Sequence, residues 1–364
     1  MTKRRRYTVG ALAAAVVVAL VAFGRPPKAA ATVRVPAADG EIVESLPFAA
    51  NDPRRRELAQ LRRTLAHDPK NLAAAVRLAR IDIRLSRERS DPRHLGHAQA
   101  ALAPWWNNPE APTEVVVLRA TIEQSLHDFG AALADLDRVL ARSPDDVQAR
   151  LTRATVLTVR ARYDEARADC RRVGEPFAAV VCETQIDSVT GHAKEAHERL
   201  ASTLDDAARI SRDEREWAVA SLGEYAERMG DAAAAETHFK EALELDPRDA
   251  YVRGAYADLL IDGGRYGDAI ALVRDYETND ALLLRLAIAE KKQGAPDAPR
   301  HVEMLGARFD AARARGDSVH RREEARFELE LRGDREKALV LAKANWEVQK
   351  EPWDARILRE AEKR

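Results

Sequence analysis

Residues 222–247 read LGEYAERMGDAAAAETHFKEALELDP, and this stretch decides the fold. Two helical patterns meet at Gly230-Asp231: one passes through Leu222 and Gly223, the other through Ala235, Phe239, Ala242 and Leu243. Small residues at the crossing let two helices touch, and the larger apolar residues are left to fill the gap to a neighbouring hairpin. Asp246-Pro247 then closes the second helix, because proline disfavours the helical conformation in the residue before it.

Downstream the pattern continues as Tyr256-Ala257, Gly264-Arg265-Tyr266, Ala269, Val273 and Tyr276, which puts Ala269 34 residues after Ala235. Upstream it runs through Ala120, Asp128-Phe129, Ala132, Leu136, Val139-Leu140 and Pro144. It then resumes at Ala154, Tyr163, Ala166, Cys170 and Val173, with Ala132 and Ala166 again 34 apart. These residues and this period resemble the tetratricopeptide repeat family. The resemblance implies an all-α, right-handed superhelical solenoid of helix-turn-helix hairpins, about eight of them over residues 53–364.

The remaining hairpins are less regular. Leu78-Ala79 and Ala98–Leu102 form one across Ser90-Asp91-Pro92, and Gly191–Ala196 opens the second helix of another before an irregular connection at 205–213. Leu286-Ala287 pairs with Met304–Ala312 across Gly294–Pro299. Gly333-Asp334, Ala338 and Leu341 mark the last hairpin, after which Trp353–Ala361 forms a capping helix.

The N-terminus has a different character. Lys3, Arg4, Arg5 and Arg6 precede a charge-free run from Tyr7 to Gly24 whose apolar core, Val9–Phe23, is 15 residues long. Basic residues before an apolar core are the mark of a secretory signal, and Ala29-Ala30-Ala31 offers a small-residue cleavage site. With its flanks the run approaches the lower limit for a membrane span, so residues 1–31 are a signal peptide or an uncleaved anchor. Basic residues are more numerous before the run than after it, which keeps the N-terminus in the cytoplasm and the rest of the chain outside the inner membrane. Residues 32–52, in a proline-bearing stretch without helical period, are a linker to the repeats at 53–364.

Fifty-nine Lys and Arg balance 60 Asp and Glu for a net charge of −1, so no general affinity for nucleic acid is expected. No catalytic set is legible. The chain lacks a Gly-Lys-Ser or Gly-Lys-Thr phosphate loop and a Gly-x-Ser-x-Gly elbow, and no cofactor is expected. His94 and His97 would share a helical face, as a metal pair does, but no carboxylate or third histidine stands at useful spacing, so no metal site is expected. His192 and His197 fall on different faces. Trp105-Trp106 could form an exposed platform, but scarce aromatics more often bury, and at least one should close the core of the first hairpin.

Cys170 falls late in one hairpin's second helix and Cys182 in the next hairpin's first helix. The two could form a disulfide, which an exported location permits, or remain two small buried thiols. The family resemblance implies that first helices line a concave groove, which assigns Trp217, Glu224, Glu227, Arg228, Tyr251, Asp258 and Asp262 to it. Four carboxylates and two aromatics against one arginine suit an extended peptide with basic and apolar side chains. The upstream groove positions, including Glu114, Val117, Thr121, Gln148, Leu151, Thr155, Thr158 and Val159, read as neutral and polar. The lysine-and-asparagine clamp of chaperone-binding relatives is absent.

The expected role is a non-catalytic scaffold or adaptor in the bacterial cell envelope, with a protein or peptide partner, and with the inner membrane as a second contact if the N-terminal segment is uncleaved. The alternatives are a helical-repeat enzyme or carrier with its site on insertions such as 86–97 or 294–301, and a cytoplasmic scaffold.

Overall fold

The computed structural model describes residues 53–89, 91–316 and 319–363. The signal or anchor run and the linker at 1–52 therefore lie outside the described residues. The chain divides into two compact units, Met1–Arg55 and Arg56–Arg364, and the second holds the repeats. Among the described residues there is no strand, and no helix is long and apolar enough to cross a membrane.

Helix α1 (Pro53–His67) leads into eight hairpins. These pair α2 (Leu72–Arg89) with α3 (Arg93–Ala101), α4 (Thr113–Ser125) with α5 (Phe129–Arg142), α6 (Val147–Val159) with α7 (Tyr163–Cys170), and α8 (Pro176–Val189) with α9 (Ala193–Asp206). They continue with α10 (Arg212–Met229) and α11 (Ala232–Leu245), α12 (Ala250–Asp262) and α13 (Tyr266–Val273), α14 (Asp280–Gln293) and α15 (Ala298–Ala314), and α16 (Arg321–Phe327) and α17 (Arg335–Trp346). Helix α18 (Pro352–Glu362) caps the stack, which is the superhelical all-α solenoid that the family resemblance implies.

The period reads directly onto burial. Ala132, Ala166, Ala235 and Ala269 are each fully buried, and so are Ala98, 34 residues before Ala132, and Ala338 in the last hairpin. At Gly223 a Cβ would stand 2.6 Å from the Phe239 ring, so this crossing of α10 and α11 has no room for even a methyl group. First helices such as α14, buried at Leu282, Leu283, Leu284 and Leu286 to Glu290, pack on both sides and bury nearly all round. Second helices such as α5 bury one stripe, Phe129, Ala132, Leu136, Val139 and Leu140 among them, and leave the other face to water.

In six of the hairpins the turn has one left-handed residue five positions before the crossing alanine. It is glycine at Gly191, Gly230, Gly264 and Gly333, but it is His127 (φ 60°) and Ala161 (φ 57°) in the second and third hairpins. Between hairpins, Asp146 and Asp249 cap the next helix two residues after Pro144 and Pro247, each accepting a backbone N–H at 2.8 Å.

The stack curves far enough to meet itself. Helix α2 touches α12, and Glu88 pairs with Arg248 at 3.5 Å. At the other end the Lys350 amide donates to the Val159 carbonyl at 2.8 Å, and Arg160 donates to the Val348 carbonyl at 3.2 Å.

Candidate functional site

Four consecutive first helices, α6, α8, α10 and α12, converge on a concave chamber of about 330 Å³. Leu151, Thr155, Thr158 and Val159 line one wall, Trp217, Glu224, Arg228 and Tyr251 the opposite one, and Glu351 closes one side from the segment before α18. Tyr251 is 66% exposed, unusual for a large aromatic. Its hydroxyl donates to Glu224 Oε1 at 2.5 Å, while Arg228 donates to Glu224 Oε2 at 2.8 Å and to Ser188 Oγ at 3.1 Å. Although the side chain is exposed, the charge of the Glu224 carboxylate beside its hydroxyl raises the Tyr251 phenol well above its usual range, so it stays a neutral donor.

The acidic groove expected from the sequence needs correction at two positions. Asp258 is only 1% exposed and receives Arg285 Nη2 at 2.7 Å and Arg326 Nη1 at 2.6 Å. Burial opposes its ionisation, but the two guanidiniums outweigh burial and hold its carboxyl below the usual carboxylate range. Asp262 is held by Arg356 of α18 through two bonds of 2.5 and 2.8 Å. The ring of Trp353 lies between these arginines, with Arg326 5.0 Å and Arg356 4.4 Å from its centroid. The C-terminal helices thus cover the acidic end of α12 with the chain's own cations. Glu227 remains, its carboxyl pushed up to about 7 by burial, with the Asp258 and Glu224 charges adding to the shift. Glu216, on the chamber wall, is pushed to about 7 by burial and by Asp249 and Asp246.

The N-terminal half of the concave face also differs from its expected neutral character. A second cavity, about 740 Å³, is lined by the expected Glu114, Val117, Thr121 and Gln148, and also by Arg80, Arg84 and Arg87 of α2. These arginines stand at i, i+4 and i+7, the signal for one helical face; only the place of α2 beside α4 makes that face concave.

Two further groupings emerge from packing. Cys170 and Cys182 are joined as a disulfide with Cα atoms 5.5 Å apart, linking α7 to α8. His94 and His97 have a buried carboxylate beside them after all: Asp82 of α2 lies across the Ser90-Asp91-Pro92 connection, beyond the reach of a spacing argument. Trp105 and Trp106 are both half-buried against the core of the first hairpins, and Arg119 donates to the Asn108 carbonyl at 3.3 Å and to that of Trp106, so they close a core.

Models of the tetratricopeptide repeat match residues 117–178 and 226–281. The chain carries tetratricopeptide repeats. In general terms such an array is a protein–protein interaction scaffold, its function residing in the surface its hairpins present. No curated protein matches this tetratricopeptide chain by sequence. Among solved structures it is similar to a tetratricopeptide repeat protein from Parabacteroides merdae, at 15% identity and a TM-score of 0.40 over 79% of this chain and 100% of that one. It is similar to Pseudomonas aeruginosa pilF at 18% identity and a TM-score of 0.39, over 56% and 95% of the two chains. It is also similar to a Rap protein complexed with competence and sporulation factor, at 13% identity and a TM-score of 0.49 over 83% and 92%.

Proposed function

We propose that this tetratricopeptide protein is a non-catalytic adaptor of the bacterial cell envelope that holds a short partner segment in the chamber between α6 and α12. The observation that carries the reading is the convergence of four first helices on one cavity of about 330 Å³ with an exposed Tyr251 at its wall. Aromatic residues that are already ordered lose little freedom when a partner covers them, which favours them as anchors. With Glu224 and Glu351 of its wall each paired to an arginine and the Glu216 carboxyl pushed up to about 7, the chamber suits a segment of apolar and neutral polar side chains more than a strongly basic one. The basic and apolar N-terminal run at 1–31 supports export or anchoring, and a Cys170–Cys182 bridge suits an oxidising compartment.

The test is site-specific photocrosslinking in intact envelopes. A photoreactive residue at Tyr251 or Trp217 should give a discrete adduct with one partner, while the same group at Val340, 65% exposed but not on the chamber wall, should give none. Equal labelling from all three positions, or from none, would remove the chamber as the working surface. Recovery of the chain from the cytosol alone would remove the envelope assignment.

A further inference from the structure

The first hairpin contains a polar cluster that the scaffold role does not use. Asp82 projects from α2 with no exposure to solvent, and His94 and His97 project from one face of α3, where a separation of three residues places them side by side. Asp82 Oδ1 stands 2.9 Å from His94 Nδ1 and 3.9 Å from His97 Nδ1. One potential ligand atom from each residue lies within 4.8 Å of the other two. The second carboxylate oxygen, Oδ2, is buried without a hydrogen-bond partner among the described residues. An unsatisfied charged oxygen in that setting is costly, and among the described residues the nearest arginine, Arg62, approaches only to 4.0 Å of Oδ1 from a side chain 52% exposed.

We propose that Asp82, His94 and His97 bind a divalent transition-metal ion of the zinc class. A tetrahedral ion with bonds of about 2.0–2.1 Å spaces its ligand atoms about 3.3 Å apart, between the two distances observed, so small side-chain rotations bring all three into its shell. Two imidazoles and one carboxylate favour zinc-class ions over magnesium or calcium, which take oxygen ligands. The His97 side chain is 58% exposed, which gives the ion a path from solvent and leaves a fourth position for water. An ion held across both carboxylate oxygens would also give Oδ2 the partner it lacks, and would tie α2 to α3 where the first hairpin begins the stack.

The experiment uses the full-length chain without a polyhistidine tag, stripped with chelator and titrated with cobalt(II), followed by displacement with zinc(II). The expected result is one equivalent bound with the visible absorption of tetrahedral cobalt. Affinity should fall by at least about tenfold in both Asp82→Asn and His97→Ala, in line with the sensitivity of metal sites to loss of a supporting group. His97 is exposed, so His97→Ala should keep its metal-free helical melting curve, and it decides the matter if Asp82→Asn folds poorly. The competing location is His197 and His238, whose Nε2 atoms lie 3.3 Å apart. Cobalt binding that survives His97→Ala and is lost in His238→Ala overturns the assignment, as does the absence of stoichiometric binding.

Discussion

The two halves of the array bury the same kind of ion pair over different ranges. In the N-terminal half, Asp135 of α5 takes Arg119 of α4 at 2.9 Å, and Asp169 of α7 takes Arg150 of α6 at 3.1 Å, each pair within one hairpin. In the C-terminal half, Asp258 of α12 takes Arg285 of α14 and Arg326 of α16, and Asp262 takes Arg356 of α18. A short-range pair holds a hairpin together and leaves the concave face open, as it is around Arg80, Arg84 and Arg87. A long-range pair draws later hairpins over the groove and consumes its charge.

The largest effect should come from removing the buried acids. Asp258→Asn leaves Arg285 without its carboxylate and Arg326 with Glu330 alone, and Asp135→Asn leaves Arg119 without a counter-ion, so each should cost roughly 3–5 kcal/mol in chemical denaturation. Hydrogen exchange separates the two: protection should fall in α12, α16 and α18 for the first, and only around α4 and α5 for the second. If Asp135→Asn also loosens the C-terminal helices, the contrast between short and long range fails.

Glu227 sharpens the comparison through pH. Its folded pKa of about 7 lies above the ordinary 4.5, so its charge weakens the fold above pH 7, and that loss is recovered as pH falls and the folded carboxyl takes up its proton. Glu227→Gln should therefore raise stability by about 1 kcal/mol near pH ~8, after allowance for partial exposure, and the gain should shrink toward pH ~5. A gain independent of pH would show that packing and not charge is responsible.

Arg356→Ala removes a half-exposed pair and should cost no more than about 1 kcal/mol. Its readout is access: exchange in α18 should rise, with little change in α4 and α5. The smallest effect belongs to the turns, where the N-terminal half uses Ala161 at the left-handed position and the C-terminal half uses Gly230 and Gly264. Ala161→Gly should stabilise by about 0.5 kcal/mol, since relief of the strained backbone exceeds the entropy glycine adds to the unfolded chain. A loss measured by thermal melting would mean that the alanine turn is unstrained.

Much of the array is legible in the residues alone. The spacing of Ala132, Ala166, Ala235 and Ala269, the turns at Gly230 and Gly264, and the Ser143-Pro144 and Asp246-Pro247 stops each act within one hairpin. Helix ends and crossing points follow from them, and the concave position of Trp217 and Tyr251 follows from the family resemblance they carry. The acidic character assigned to Asp258 and Asp262 was misread for the opposite reason. Their partners Arg326 and Arg356 are 68 and 94 residues away, and nothing in a 34-residue unit records which later hairpin will lie above it. The approach of Asp82 to His94 and His97 is illegible for a similar reason, since it runs from α2 across a connection to α3.

The residues alone therefore specify the repeating unit, its hairpin length and the faces that bury, and the family resemblance adds which helix of each pair turns inward. Helical period and turn chemistry are short-range, so they survive being read one repeat at a time. How far the groove stays open, which charges remain in it, and which histidines meet a buried carboxylate are settled by the packed stack. These depend on curvature accumulated from small rotations between neighbouring hairpins, a sum over the whole stack that no single repeat contains.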